Sequence, residues 1–333
     1  VLLVDAWRIG RPDRLARTDR RRLLVALVVL LVILPGGTAY AGVNVGAART
    51  AMTSVFGAGD AAGAVDGRYN ILLLGGDSGR GREGLRPDSI QLASVDAETG
   101  RAVLFGFSRE TENITFRRGS VMAGLMPQGW TCGDECLLNG LYTWGQDHAE
   151  EFPPGTQDPG LVATTEAVEA LSGLDIQYHV LVDLKGFRSL VDAVGGLDIT
   201  VQRRTPSGSQ ANIKGWIEAG ERHLDGHDAL WYARSRANST NYERMARQRC
   251  VVTAMIRQLD PRTIVLNFGD IAQATKGVFQ TDIPQGALAT LGELAVKTKQ
   301  QKITSVNFVP PLIKPWDYDP AVVHAAVDKA IAR

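Results

Sequence analysis

The run YNILLL at residues 69–74, followed at once by GGDSG at residues 75–79, decides the fold. A nearly continuous apolar run of this length is typical of a central strand in a sheet that helices cover. The glycines follow where the strand ends, which is where ligands approach the backbone in α/β sheets. They do not form a Walker loop, because no Gly-Lys-Ser/Thr follows. The sequence therefore predicts an α/β protein with a ligand site beyond this strand.

Further strand and helix patterns follow along the chain. Short apolar runs predict strands at residues 90–95, 102–107, 178–182, 197–201 and 303–309. Periodic runs predict helices at residues 137–149, 161–171, 187–193, 225–236, 241–259 and 320–331, two of them capped by Asp225 and Asn241. These elements imply one three-layer α/β/α domain with a central mixed sheet. We find no internal repeat and no second core.

The first fifty residues differ in composition from the rest. Residues 1–22 carry seven arginines, whereas residues 23–48 hold no ionisable side chain except Tyr40. An apolar run of about 20 residues can cross a bilayer, and flanking arginines stay on the cytoplasmic side. We therefore expect a cytoplasmic basic segment (1–22), a transmembrane helix (23–48), a tether (49–67) and an extracytoplasmic catalytic domain (68–333), which would place the chain in the cell membrane as a single-pass protein.

A cleaved signal peptide is the alternative to this anchor. The strongly apolar core covers only residues 23–34, Pro35 follows, and the tripeptide at residues 39–41 fits a small-x-small cleavage site. The domain would then be secreted. Export in either form permits a disulfide between Cys132 and Cys136, while Cys250 is either a free thiol or a partner of one of them.

The charge balance excludes one class of partner. Lys plus Arg and Asp plus Glu number 36 each, so the chain has no overall basic charge with which to hold nucleic acid. Any anion site must be a local cluster of cations.

Two carboxylates flank the first predicted strand pair. Asp77 follows the first strand, and Asp88 lies in RPDS (86–89) where the next strand begins. Antiparallel neighbours bring such ends together, and Mg²⁺ binds one or two carboxylates together with phosphate oxygens. Asp77 alone could instead cap its turn.

Arginines supply the candidate anion site. Arg109 lies in SRET (108–111), at the end of the strand predicted at 102–107, unless it only pairs with Glu110 on the surface. Five more lie within residues 234–249, namely Arg234, Arg236, Arg244, Arg247 and Arg249. On a helix, Arg244, Arg247 and Gln248 share one face. Guanidinium forks suit phosphate oxygens, so the cluster indicates a polyanion site, with a solvated charged face as the alternative.

Five motifs in order carry a resemblance to a known family. GGDS, RPDS, SRET, LDGHDALWYARSR and NYERMARQR, after an apolar segment, resemble the LytR–CpsA–Psr proteins over residues 68–332. The resemblance implies a phosphotransferase that moves a glycopolymer from a polyprenyl pyrophosphate carrier to peptidoglycan through a phosphodiester bond. It also implies dependence on Mg²⁺, with Mn²⁺ as the alternative, and a hydrophobic pocket for the membrane lipid.

The resemblance assigns roles to residues of this chain. Asp77 and Asp88 are implied as metal ligands. The logic of phosphoryl transfer makes Asp88 also the preferred acceptor of the hydroxyl proton. The implied pyrophosphate ligands are Arg86, Arg109, Arg234, Arg236, Arg244, Arg247 and Gln248, of which Arg109, Arg234 and Arg244 with Asp88 form the expected catalytic set.

Four positions depart from the family pattern. Gly79 stands where an Arg is usual, Glu110 and Asn241 where Asp is usual, and Arg249 where a second Gln is frequent. Because both carboxylates and the main arginines remain, we expect an active transferase. The alternatives are a polyprenyl-pyrophosphate phosphatase and a non-catalytic envelope-binding regulator.

Overall fold

The computed structural model describes residues 60–76, 86–209, 211–237, 239–258 and 279–332. These residues belong to one compact unit, Ala51–Arg333. The segments predicted at 1–22 and 23–48, most of the tether, and Asp77 lie outside the described residues. None of the helices in the described ranges is long and apolar enough to span a bilayer.

Ten strands and eight α-helices are described. The strands are β1 (Arg68–Gly76), β2 (Pro87–Asp96), β3 (Ala102–Phe107), β4 (Tyr178–Asp183), β5 (Leu197–Val201), β6 (Thr205–Ser209), β7 (Asn212–Ile217), β8 (Gly220–Leu224), β9 (Phe279–Thr281) and β10 (Thr304–Phe308). The helices are α1 (Val121–Leu125), α2 (Gly140–Asp147), α3 (Pro159–Ser172), α4 (Leu184–Ala193), α5 (Gly226–Arg234), α6 (Asn241–Gln258), α7 (Leu288–Lys299) and α8 (Pro320–Ile331).

Six strands form a mixed central sheet in the order β10-β3-β2-β1-β4-β9. Strand β1 pairs antiparallel with β2 and parallel with β4, and β3 pairs antiparallel with β2 and parallel with β10. The predicted mixed α/β domain, with the YNILLL run as an inner strand, is confirmed.

The β1–β2 pair contains a bulge where the candidate chemistry begins. Gly75 lies opposite Ser89 while Gly76 lies opposite Pro87, so Asp88 is the extra residue on β2. A bulge of this kind bends its strand and redirects one side chain. The sequence prediction that the end of β1 and the start of β2 meet is therefore confirmed for the backbone.

Helices pack against both faces of β3. Phe105 and Phe107 belong to the main apolar cluster, which α3 and α8 join through Val168 and Val327. Gly106 points to the opposite face because side chains alternate along a strand. A methyl group added at Gly106 would lie 3.7 Å from Met245 Cε of α6. Helix α6 therefore lies over the face opposite to the main cluster.

A second cluster of buried residues corrects the expectation of no second core. It joins Val191 of α4, Leu197 of β5, Leu224 of β8 and Val251 of α6. The sequence does not reveal it, because each short element contributes few apolar residues. Strand β8, for example, is exposed at every position except Leu224.

Two local predictions have definite outcomes. The helix expected at 137–149 is confined to α2, since Leu138 N–H donates to Thr111 O at 2.8 Å before the helix begins. Cys132 and Cys136 form the disulfide, and Cys250 is a half-buried free thiol. Pairing of Cys250 with either of them is therefore excluded in this structure.

Candidate active site

Three segments meet at one end of the central sheet. Asp88 lies in the bulge of β2, Arg109 follows β3, and Asn241 and Arg244 belong to the first turns of α6. Ile90 of β2 lies opposite Phe107 of β3, so the start of one strand adjoins the end of the other. The register thus brings Asp88 close to Arg109, about twenty positions further along the chain. Asn241 and Arg244, more than a hundred and fifty positions from Asp88, reach the same rim.

Asp88 is the acceptor at the centre of this rim. Its Oδ1 lies 2.6 Å from Arg109 Nη1. Its Oδ2 lies 3.8 Å from Arg244 Nη1, and its backbone carbonyl accepts a hydrogen bond from Arg244 Nη2 at 3.3 Å. An ionised carboxylate offers about four lone-pair sites. Asp88 therefore binds two guanidiniums and keeps the capacity to accept a further donor or a cation.

Arg244 is a buried cation. Only 2% of its surface is exposed. Burial lowers the pKa of the Arg244 guanidinium to about 10, Asp88 and Glu110 act against that shift, and Arg109 and Arg236 add to it. Three guanidiniums thus face two carboxylates, and this positive excess favours an anionic ligand.

Asn241 connects the segments of the rim. Its Oδ1 accepts a hydrogen bond from Arg244 Nη2 at 2.6 Å. Its Nδ2 donates to Ser108 Oγ at 3.4 Å and to Glu110 Oε2 at 3.3 Å. The amide thus holds Arg244 on one side and the segment that carries Arg109 on the other. Sequence reasoning missed this role of Asn241 and the contact with Glu110.

The cap of α6 explains why the Asn241 side chain is available. Asn241 was predicted to cap the helix, but Thr240 does so instead. Thr240 Oγ1 accepts from Glu243 N–H at 3.2 Å, and Glu243 Oε2 accepts from Thr240 N–H at 2.7 Å. This reciprocal pair is a capping box, and the pattern Thr-x-x-Glu that signals it is present in the sequence at residues 240–243.

Two buried donors at the rim have no acceptor among the described residues. They are the Nε atoms of Arg109 and Arg244. Arg109 Nε lies 3.4 Å from Glu110 Oε1, which makes an ion pair without the geometry of a hydrogen bond. An unsatisfied buried donor costs about 1–3 kcal/mol, and ligand oxygens that approach these side chains would offset that cost.

The other predicted ligands differ in their surroundings, and among these described side chains only Arg236 is brought into electrostatic contact with Arg244. Arg236 is exposed and acts electrostatically on Arg244. Arg86 is exposed immediately before β2, and Gln248 is half-buried on α6. The Arg234 Cζ lies 5.1 Å from the centroid of the Trp231 ring, which is within cation–π range.

Arg247 has a structural role that the sequence did not predict. Its Nε donates to Tyr232 O at 2.7 Å, and its Nη2 donates to Ser235 O and, at 3.2 Å, to Ser239 Oγ. These bonds tie α6 to the end of α5 and to the segment after it. Burial also lowers the pKa of Arg247. Its role as a pyrophosphate ligand stays a prediction.

Comparison with known proteins gives a consistent relationship. The LytR_cpsA_psr family profile matches residues 42–312. TagV of Bacillus subtilis, a polyisoprenyl-teichoic acid–peptidoglycan teichoic acid transferase, is 25% identical over 221 residues, which are 65% of this chain and 50% of that protein. TagU of Oceanobacillus iheyensis, which carries the same transferase description, is 26% identical over 298 residues, or 85% of this chain and 84% of that protein.

Solved structures share the fold. The crystal structure of Bacillus subtilis TagV matches with a TM-score of 0.57 at 22% identity, over 79% of this chain and 95% of that chain. TagT bound to LIIa-WTA matches with a TM-score of 0.56 at 16% identity, over 79% of this chain and 89% of that one. The chain spans only 50% to 60% of the length of several curated relatives, among them TagV and a TagU of Bacillus mycoides.

Proposed function

The chain belongs to the LytR_cpsA_psr family, and from that membership we propose that it is an envelope phosphotransferase. It moves a glycopolymer from a polyprenyl pyrophosphate carrier to a hydroxyl group of peptidoglycan and leaves a phosphodiester bond. The transferase names of TagV and TagU support this reaction class.

The observation that carries the proposal is the convergence of guanidiniums on Asp88. Arg109 contacts Asp88 directly, Arg244 lies buried beside it, and Arg236 acts on Arg244 from the exposed side. Arg244, only 2% exposed, is buried more deeply than a surface salt bridge requires. This burial supports a phosphate site, because charged hydrogen bonds strengthen where water is excluded.

The proposed reaction assigns a role to three arginines and to Asp88. Arg109, Arg234 and Arg244 bind the pyrophosphate oxygens and offset the negative charge that develops on the departing phosphate. The acceptor hydroxyl attacks the sugar-linked phosphorus in line, a new O–P bond forms, and the bond to the bridging oxygen breaks. Polyprenyl monophosphate leaves. Asp88, held by Arg109 at 2.6 Å, accepts the hydroxyl proton.

Mg²⁺, or Mn²⁺ in its place, would be held by Asp88 and Asp77. The donor chemistry fits, since Asp88 is a hard oxygen ligand with lone pairs left beside its two arginines. Asp77 lies outside the described residues, one position after Gly76, whose partner across the bulge is Pro87. The ion would supply further neutralisation of phosphate charge when bound.

We also propose that the chain acts at the cell membrane. The uncharged run at residues 23–48 with its arginine flank supports an anchor with a cytoplasmic N-terminus. The segments at 137–149 and 161–171 are candidates for lining the lipid pocket, but their Leu141 and Val168 lie in the main core. Core packing therefore accounts for these two side chains, and the lipid tail must contact others.

A reconstituted reaction tests the function. The full chain is incubated in detergent with a short polyprenyl pyrophosphate-linked polymer, peptidoglycan and Mg²⁺. We expect polymer bound to peptidoglycan and an equal amount of polyprenyl monophosphate. Phosphate release without polymer on peptidoglycan would favour the phosphatase, and lipid binding without turnover under any metal would favour the regulator.

A further inference from the structure

A two-stranded hairpin beside the active site presents an aromatic ring to solvent. Strands β6 and β7 form this hairpin, in which Pro206 lies opposite Trp216. Ile217 is buried in the second apolar cluster. Trp216, the next residue along the strand, points the other way and is 40% exposed. The hairpin is thus fixed by one face and displays the indole on the other.

The ring of Trp216 is held from one side. The Arg204 Cζ lies 4.2 Å from the ring centroid, and Arg204 Nε donates to Glu218 Oε1 at 2.8 Å. The cation–π contact fixes the indole, and the ion pair fixes the guanidinium. One face of the ring is therefore covered while exposed surface remains for a ligand. A platform ordered in advance reduces the entropy lost on binding.

The base of the hairpin is attached to the helix that carries Arg244. Arg203 Nη2 lies 3.3 Å from Glu243 Oε1, and Glu243 precedes Arg244 on α6. The hairpin therefore adjoins α6, the helix whose first turns carry Asn241 and Arg244 at the rim.

The charges around Trp216 decide what it can bind. Arg203 and Arg204, which flank the platform, are ion-paired with Glu243 and Glu218. Lys214, two residues before Trp216, and Arg222, which donates to Glu218 O, add positive charge nearby. The guanidinium that covers the indole is engaged by Glu218, and the ring itself offers an uncharged aromatic surface. Insertion into lipid is disfavoured, because it would remove the Arg204–Glu218 pair from water.

We propose that Trp216 is a stacking platform for a neutral pyranose ring of the acceptor glycan. The C–H groups on the flat side of a pyranose carry partial positive charge, and the face of an indole carries negative potential. The inference rests on the proposed function, because that function supplies the peptidoglycan acceptor, and it adds a binding subsite to it.

Binding of chitotetraose, a neutral tetramer of N-acetylglucosamine, tests the platform. Calorimetric titration of the full chain in detergent should show binding that Trp216→Ala weakens about tenfold, the loss expected for about 1.4 kcal/mol of aromatic contact. Trp216→Phe should retain most of the affinity, and Trp216→Leu, which is apolar but has no π face, should not. Trp316→Ala is the matched control, since Trp316 is 50% exposed and lies between β10 and α8.

Several results would overturn the platform. One is that the unmodified chain does not bind chitotetraose. Others are that Trp216→Leu and Trp216→Phe bind it equally well, or that Trp216→Ala and Trp316→Ala lose equal affinity for it. Loss of binding to phosphatidylglycerol vesicles in Trp216→Ala, with chitotetraose binding intact, would assign the ring to the membrane and overturn it too.

A second titration separates the platform from the proposed function. Affinity for a short polyprenyl pyrophosphate should be unchanged in Trp216→Ala. Chitotetraose binding without pyrophosphate binding would contradict the transferase and support the platform. Pyrophosphate binding without chitotetraose binding would contradict the platform alone.

Discussion

Asp88 Oδ1 lies 2.6 Å from Arg109 Nη1. The carboxylate proposed to take the proton of the attacking hydroxyl therefore also holds an arginine proposed to bind phosphate. Arg244 approaches the other oxygen of the same carboxylate at 3.8 Å. One side chain thus orders two cations from different segments. Its loss affects binding, charge balance and proton transfer together.

Asp88→Asn should abolish polymer transfer while the domain stays folded. The amide keeps the shape but removes the negative charge that Asp88 places beside Arg109 and the buried Arg244, and it is a poor proton acceptor. Transfer is measured as polymer bound to peptidoglycan, with circular dichroism as the check on folding. Asp175→Asn is the control, since Asp175 pairs with Arg117 at 2.5 Å and precedes β4, at the opposite end of β1 from Gly76. Near-normal transfer by Asp88→Asn would refute its role.

Chelation of divalent metal should stop transfer, and Mg²⁺ or Mn²⁺ should restore it. Asp77→Ala should have the same effect as chelation, because Asp77 is the second proposed metal ligand. Isothermal titration with Mn²⁺ should show weaker binding in Asp77→Ala and in Asp88→Ala. Full activity in excess chelator, or unchanged Mn²⁺ binding in both variants, would contradict the metal site.

Asn241→Ala should lower transfer about tenfold and stability by about 1–2 kcal/mol, because a charged hydrogen bond to Arg244 and the contacts with Ser108 and Glu110 are lost. Transfer kinetics and urea unfolding measure the two effects. Asn241→Asp keeps the oxygen for Arg244 but faces Glu110, 3.3 Å from the present amide nitrogen. Activity closer to normal in Asn241→Asp than in Asn241→Ala is expected. The reverse order would contradict a positioning role through Arg244.

Thr240→Ala should destabilise the domain by about 1 kcal/mol, the usual contribution of an N-cap side chain. The hydrogen bond from Thr240 N–H, followed by Arg203 among the charged groups, lowers the pKa of Glu243. A carboxyl whose folded-state pKa is lowered stabilises the fold above its ordinary pKa of about 4.3, and this contribution is lost as pH falls through the lowered value.

Urea unfolding between pH 7 and pH 3 measures this dependence. Glu243→Gln should reduce the loss of stability on acidification, and the double variant with Thr240→Ala should be less destabilised than the sum of the single variants. Strict additivity would contradict energetic coupling between the two side chains.

Arg247→Lys should reduce stability more than it reduces pyrophosphate affinity. The bonds of Arg247 to the carbonyls of Tyr232 and Ser235 join α5 to α6, and one ammonium cannot reproduce this geometry. Thermal melting and lipid titration on one preparation separate the effects. A loss of affinity equal to that of Arg244→Lys, with an unchanged Tm, would instead make Arg247 a direct ligand.

The sequence predicts the elements whose own residues determine them. The apolar runs of β1 and β3 and the capped, periodic helix α8 appear where expected, because buried strands and capped helices have strong local patterns. The meeting of β1 and β2 could be predicted, because strands that follow one another in the chain are usually neighbours in a sheet.

Features that depend on tertiary contacts could not be predicted. Nothing local shows that Asn241 bonds Ser108, or that Arg247 reaches back to Tyr232. The hairpin of β6 and β7 is short and polar, and its Trp216 gains significance only beside Arg204 and α6. Thr240 is different, because the Thr-x-x-Glu pattern of its capping box is visible in the sequence at residues 240–243.

The affinity of three arginine variants for a short polyprenyl pyrophosphate tests the central claim most directly. Arg244→Lys and Arg234→Lys each lose a planar fork, and charged hydrogen bonds contribute about 1.5–3 kcal/mol, so binding should weaken about ten- to a hundredfold. Arg249→Lys is the control on the same helix, since its side chain leaves α6 about 100° away from that of Gln248. Its affinity should be near normal, with thermal melting to confirm that all three variants fold. Equal and negligible changes at positions 234, 244 and 249 would contradict a pyrophosphate site at this rim.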